Sequence, residues 1–175
     1  RPRFCTIGRF SHEKAYDRVV RAAGRLKRNG FKFSIVMVGD GPCYPEIVKM
    51  IEKYSLNDVF TLVRNQNNPY KYLSKCDCLL SSSKYEAFST VACEAIVLGI
   101  PVVTTDCAGM SEILGPDLAG IITPNNDEGL YSAMRSLLEE PEAIPNLKKR
   151  AATRRNFFNR DHTVEAITSM FDSLE

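Results

Sequence analysis

Apolar positions along the chain switch between two spacings. Short segments rich in apolar and β-branched residues recur at 3–9 (RFCTIGR), 31–39 (FKFSIVMVG), 59–64, 78–82, 100–105 and 120–123. Their lengths suit strands, and the run 100–105 (IPVVTT) is so apolar that both of its faces must be covered. Between these runs the spacing lengthens to that of a helix. Residues 13–29 set Ala15, Val19, Ala22, Ala23 and Leu26 on one stripe, and Gly30 stops the helix. Helices are also predicted at 45–54, 70–75, 91–98 and 127–139, with a short helical turn ending near Ile113. The tail differs: 145–158 and 162–174 are consecutive helices, broken at Asn159-Arg160-Asp161 with no strand between them. Alternating strands and helices imply right-handed crossovers. The predicted fold is α/β, a doubly wound, Rossmann-like parallel sheet of about six strands with extra C-terminal helices.

That architecture says where chemistry belongs. In open parallel sheets, ligands bind beyond the carboxyl ends of the strands, where the strand order reverses. The loops at 8–11, 39–42, 64–68, 82–89 and 106–112 are therefore the places to search, and they are rich in Gly, Arg, Asn, Ser and acids. A dinucleotide-binding turn would follow the first strand as G-x-G-x-x-G. Gly39-Asp40-Gly41 is the only near match, and Pro42 and Tyr44 break it. No Walker lysine motif occurs either, which disfavours NAD and P-loop chemistry.

Composition narrows the classes further. The 175 residues are 44% hydrophobic and 25% charged, as expected of one globular domain with a real core. A net charge of +2 gives no global argument for nucleic acid. No run approaches the roughly 20 apolar residues of a membrane helix. Six scattered cysteines, Cys5, Cys43, Cys76, Cys78, Cys93 and Cys107, lack metal-ligand spacing and read as small buried thiols in a reducing cytosol. The chain opens on Arg1-Pro2-Arg3 without Met, and reads as a piece of a longer protein.

Within the suspect loops, Arg9 ends the first strand and Lys14 begins the first helix. Two such cations can hold a diphosphate, aided by the helix that opens at Ser89 and Thr90 with its unpaired N–H groups and positive dipole end. The same two cations also fit a solvated surface. The helix 91–98 looks buried on almost every side, yet carries Glu94. An ionised carboxylate there must meet a cleft or a partner. It can accept hydrogen bonds from a sugar diol, or it can close a buried bridge to Arg or Lys. Glu86 lies just upstream, at the same end of the sheet.

These residues carry a resemblance. Glu86-Ala-Phe-Ser-Thr-Val-Ala-Cys-Glu94, followed by AIVLGIPVVTTD, resembles the E-x7-E signature of retaining GT-B glycosyltransferases, family four (glycosyl transferases group 1) in particular. TIGRFSHEKAYDRVVRA at the start, VGDGP at 38–42, NPYKYLSKCD at 68–77 and AGMSEIL at 108–114 are similar to further segments of that family, in the same order. The resemblance implies that residues 1–175 are the C-terminal, nucleotide-sugar-binding domain of a GT-B enzyme whose N-terminal acceptor domain is absent here. Arg9 and Lys14 would bind the diphosphate and stabilise the leaving charge, and Glu86 would contact the donor sugar. Glu94 would hold the ribose hydroxyls, Phe88, Ser89 and Thr90 the phosphate and sugar, and Arg64 and Asn65 the border of the base. The donor would be a nucleoside-diphosphate sugar, a UDP-sugar in the first instance, with no cofactor and no metal. The acceptor would be a glycan or lipid-linked glycan, met through the missing half, with no nucleic acid involved. The expected place is the cytoplasm, peripheral to the inner face of the membrane.

The family often has Gly at the positions of Ala15, Ala87 and Ser89, and near Arg64. No K-x-G-G element follows the first strand, which disfavours starch- or glycogen-synthase-like chemistry. Two other functions are weighed: a GT-B nucleotide-sugar epimerase, for which His12 is the one proton carrier in place, and a non-catalytic nucleotide-binding module. Lys148, Lys149, Arg150, Arg154, Arg155 and Arg160 form a basic cluster that reads first as a solvated helix face and second as an approach to an anionic membrane or lipid-linked acceptor. Asp77 reads as a strand-entry residue, Glu112 as a charge at a helix end, and Tyr70 and Tyr72 as packing.

Overall fold

The computed structural model describes residues 1–158; the predicted helix 162–174 and Arg160 lie outside them. Six strands form one parallel sheet: β1 (Arg3–Ile7), β2 (Ser34–Val38), β3 (Phe60–Val63), β4 (Cys78–Ser81), β5 (Val102–Thr105) and β6 (Gly120–Thr123). Their order is β3-β2-β1-β4-β5-β6, and every adjacent pair runs parallel. The sheet therefore grows outward in both directions from β1, and the order reverses between β1 and β4. Helices α1 (Tyr16–Arg28), α2 (Tyr44–Lys53), α3 (Tyr70–Leu73), α4 (Thr90–Val97), α5 (Met110–Leu114), α6 (Asp127–Glu139) and α7 (Ala143–Arg154) cover it, and a 3₁₀ turn follows at Arg155–Phe158.

Successive strand residues point to opposite faces, so the sheet feeds two cores. Phe4, Ile35, Leu80 and Val103 meet Val20 and Leu26 of α1, Ile47 of α2 and Met134 of α6 on one side. Their neighbours Cys5, Leu79 and Val102 meet Ala92 and Ile96 of α4, Ile113 of α5 and Ala151 of α7 on the other. All four residues of β5 are buried, as a strand covered on both faces requires. Fully burying a valine such as Val102 or Val103 stabilises by about 1.5–3 kcal/mol.

Two departures from the predicted elements matter. Helix α1 starts at Tyr16, not at residue 13, because Ala15 sits in the left-handed region at φ 48 and turns the chain into the helix. The carbonyls just before it are engaged elsewhere: Glu13 O accepts the Lys84 N–H at 2.7 Å, and Lys14 O accepts the Ser82 hydroxyl at 2.7 Å. At the other end, Gly30 at φ 83 stops the helix as predicted, with Phe31 N–H returning to Leu26 O. The second departure is α4, which exposes Val97 by 46%, with Leu98 just past its end at 41%, so it is not buried all round.

A row of cations on α1 joins it to α6. Arg18, Arg21 and Arg25 fall on one helix face and reach Asp127, Asp127 and Glu128. The Arg21 hydrogen bond leads the causes that hold the Asp127 carboxyl below its ordinary value. A carboxyl lowered by folding contributes stability above its unfolded pKa, and that stability is lost as pH falls through the folded value. Asp127→Asn is therefore expected to cost less than about 1 kcal/mol at neutral pH, as for exposed pairs. The gap should close as urea titrations move below the ordinary carboxylate range, and a gap that stays constant at every pH would contradict the pairing.

Helix α7 is clasped by its own basic residues. Lys148 pairs with Asp77 at 2.6 Å, while Asp77 also accepts the Arg3 N–H at the entry to β4. Burial pushes the Asp77 carboxyl up, but the Lys148 and Arg3 hydrogen bonds outweigh it and bring the pKa down. Arg154 donates to the carbonyls of Glu112 and Ile113 and lies over the Phe157 ring. Of the described basic cluster, Lys149, Arg150 and Arg155 are left on the exposed face. Glu112 stands in the first turn of α5, as expected.

Candidate functional site at the strand-order reversal

The loops after β1 and β4 meet where the strand order reverses, and they are tied together by backbone and side chain alike. Ser82 and Lys84 hold the carbonyls of Lys14 and Glu13 through the two bonds described above. Across this seam the Lys14 ammonium meets Glu86 at 2.5 Å, and both side chains are largely sheltered, at 28% and 15% exposure. Ser83 donates a further hydrogen bond to the same Glu86 oxygen at 3.2 Å. Residues separated by 72 positions thus form one charged unit at the switch point. Lys14 lies in the turn before α1 and not in its first turn.

Arg9 stands two residues past β1 and is exposed. It lines a cleft of about 590 Å³ with Gly8, Asp40, Gly41, Asn65, Gln66 and neighbouring residues. Ile7 borders both this cleft and the small recess that holds Lys14, Ser82 and Ser89. Among the described residues the Arg9 guanidinium has no hydrogen-bond acceptor. The Gly39-Asp40-Gly41 turn builds the far wall: Phe10 N–H donates to Asp40 O, and Cys43 N–H to Phe10 O, both at 2.9 Å. Arg64 is drawn away from the opening. It pairs with Asp40 at 3.0 Å and lies over the Tyr44 ring, so Asn65 and not Arg64 lines the cleft.

Helix α4 supplies the next groups. Ser89 caps it, its hydroxyl accepting the Ala92 N–H at 3.3 Å, which leaves the amides of Thr90 and Val91 without an acceptor among the described residues. Thr90 is exposed, and Phe88 is half exposed beside Gly109. Glu94 is half-buried and accepts a hydrogen bond from the Tyr70 hydroxyl at 2.9 Å. No Lys or Arg among the described residues pairs with it, so the buried-bridge alternative is not the arrangement found. Tyr70 is not a packing residue: it is exposed, and the hydrogen bond to Glu94 raises its phenol pKa. Tyr72 does pack against the second core. His12 sits in a separate recess with Asp17, Cys43 and Glu46.

Sequence reasoning missed the side chain that joins most of these loops. Asn125, just after β6, donates to the carbonyls of Lys84 at 3.0 Å and Asp106 at 3.1 Å and accepts from Arg18 at 2.6 Å. The loop after β6 lies outside the loops the sequence points to, although its position at a strand's carboxyl end is the signal that finds it. A second groove, about 610 Å³, runs between the chain entering β6 (Leu118, Ala119) and α7 (Lys149, Arg150, Arg154). It is slightly larger but lies at the amino end of β6, away from the crevice.

In doubly wound sheets of this kind the crevice at the reversal of strand order is where ligands are bound. The sequence profile of glycosyl transferases group 1 matches residues 1–155, and the chain belongs to that family. It is 29% identical over 157 residues to the N-acetylgalactosamine-N,N'-diacetylbacillosaminyl-diphospho-undecaprenol 4-alpha-N-acetylgalactosaminyltransferase of Campylobacter jejuni, covering 89% of this chain and 42% of that protein. Its fold matches GT-B glycosyltransferase structures. The sucrose-phosphate synthase of Thermosynechococcus elongatus aligns with a TM-score of 0.82 at 24% identity, over 99% of this chain and 45% of that one. Anabaena Alr3699/HepE, solved in complex with UDP, aligns at 0.83 and 19% identity, over 98% and 48%. The chain thus spans less than half the length of these relatives.

Proposed function

We propose that this chain is the C-terminal, donor-binding half of a retaining GT-B glycosyltransferase that moves a sugar from a nucleoside diphosphate to a glycan or glycolipid acceptor. The observation that carries the reading is the Lys14–Glu86 contact at the reversal of strand order, with Arg9 on the adjoining cleft. Arg9, Lys14 and the free amides of Thr90 and Val91 take the diphosphate. Their positive charge stabilises the leaving group as the glycosidic bond breaks, without a metal. Lys14 turns from Glu86 to the phosphate, and Glu86 is released to accept hydrogen bonds from the donor sugar. Glu94 holds the ribose diol. Asn65, with Arg64 behind it, borders the base, and the backbone at 88–90 holds phosphate and sugar. The base is uracil, a choice supported by the UDP bound in a structural neighbour. The leaving phosphate oxygen takes the proton of the attacking acceptor hydroxyl, so no enzyme base is needed in this half. The acceptor is held by an N-terminal domain outside this chain. The protein works in the cytoplasm, where exposed Lys149 and Arg150 of α7, with Arg155 just past its end, are the groups offered to an anionic membrane face or lipid-linked acceptor.

Calorimetric titration of the chain with UDP, GDP and ADP, each in chelator, tests the reading. UDP is expected to bind, and the chain alone to transfer no sugar. Glu94→Gln is expected to weaken UDP binding about tenfold or more, the scale of one charge-assisted hydrogen bond, with little change in Tm. Absence of binding to all three nucleotides would overturn the proposal, and a large fall in Tm at unchanged affinity would overturn the role of Glu94.

A further inference from the structure

We infer that Asn125 is a positioning residue for the sugar end of the site, holding the Glu86 loop in register with Lys14; this inference rests on the reading of Glu86 as a donor-sugar ligand. A carboxamide has an oxygen that only accepts and a nitrogen that only donates. Arg18 fixes which is which at Asn125. Its guanidinium can only donate, and it donates to Asn125 Oδ1 at 2.6 Å, so the Nδ2 hydrogens must face the other way. There they reach the carbonyls of Lys84 and Asp106, at the carboxyl ends of the strands β4 and β5. One side chain therefore bolts the loops after β4, β5 and β6 together, and Arg18 also reaches Ser82 O and Asp127.

Lys84 is the pivot of this arrangement. Its carbonyl accepts from Asn125, while its N–H donates to Glu13 O, one residue before Lys14. Two residues further on is Glu86, bonded to Lys14 and Ser83. The path from Asn125 through Lys84 to Glu86 is short, and every step is a hydrogen bond or a peptide link. Glu86 must leave Lys14 for the sugar without its loop drifting, because hydroxyl recognition needs geometry held within about 0.5 Å. Asn125 is what keeps the loop in place once the ion pair opens.

Two substitutions separate positioning from packing. Asn125→Asp keeps the shape and the Arg18 contact, but turns an oxygen toward two carbonyl oxygens; Asn125→Ala removes these bonds and the longer one to Cys107 Sγ. Both are expected to raise hydrogen exchange of the Lys84 amide at least tenfold in the ligand-free chain, while core amides such as Ile35 and Val103 keep their protection. Titrations should show UDP-glucose losing several-fold more affinity than UDP. In the Glu86→Gln background the added loss from Asn125→Ala should vanish, since the residue acts through Glu86. Unchanged Lys84 exchange in both variants would overturn the inference whether or not nucleotide binds. Equal losses for UDP and UDP-glucose, or full additivity with Glu86→Gln, would also overturn it. If wild-type chain binds neither nucleotide, the proposed function fails, and the exchange result then shows only whether Asn125 holds the loop.

Discussion

Replacing Arg9 and Lys14 together by alanine is expected to lower UDP affinity by at least about 100-fold, read by calorimetry in chelator. Charge-assisted hydrogen bonds contribute about 1.5–3 kcal/mol each, and two are removed. The helix terminus left behind supplies only about 0.3–1 kcal/mol. The two single changes should differ. Arg9 is exposed on the cleft without a hydrogen-bond acceptor among the described residues, so Arg9→Ala subtracts one cation. Lys14 is the ion partner of Glu86, so Lys14→Ala removes a cation and also leaves a sheltered carboxylate facing the incoming phosphates. Lys14→Ala should therefore cost more than Arg9→Ala, and adding Glu86→Gln should recover part of that loss. Double replacement with unchanged affinity would remove the diphosphate role outright.

The second large effect concerns the wall of the same cleft. Gly39 lies at φ 144, and a Cβ placed there would stand 2.0 Å from the Gly8 carbonyl oxygen. Both neighbours are backbone, tied by Gly8 N–H to Val38 O and Gly39 N–H to Val63 O, so neither can swing aside as a side chain would. Gly39→Ala should destabilise the fold by about 3 kcal/mol or more, combining a disallowed backbone with a steric clash. Urea denaturation measures it, and a loss under about 1 kcal/mol would mean the β1 and β2 loops part more easily than their packing indicates. Gly39-Asp40-Gly41, rejected as a pyrophosphate cradle, thus acts by letting two strand-end loops touch.

Sequence carried the fold further than the site. Strands are legible because parallel strands covered on both faces leave short segments rich in apolar and β-branched residues, and the helix at 127–139 has the bounds its spacing predicts. The start of α1 is not legible, because a left-handed Ala15 has no mark in the residue type; the stripe through Ala15, Val19 and Ala22 continues past the true boundary. At the site, residue types in the loops after strands bring out Arg9, Lys14 and Glu86 singly, and a lone carboxylate in an apolar helix brings out Glu94. Their pairings are hidden, since Lys14–Glu86 joins positions 72 apart and depends on which strands are neighbours. Tyr70 reads as packing in the sequence because a tyrosine beside apolar residues looks the same whether its hydroxyl faces solvent or a carboxylate. Asn125 escaped because an Asn after a strand reads as a turn former, and only the three loops around it reveal what its amide joins.

The most direct test of the central claim is a crystal structure of this chain with UDP-glucose bound. The account predicts the diphosphate against Arg9, Lys14 and the Thr90 and Val91 amides, the ribose on Glu94, and Lys14 turned away from Glu86. Nucleotide seated in the groove between α7 and the chain entering β6, with the Lys14–Glu86 pair intact, would contradict it.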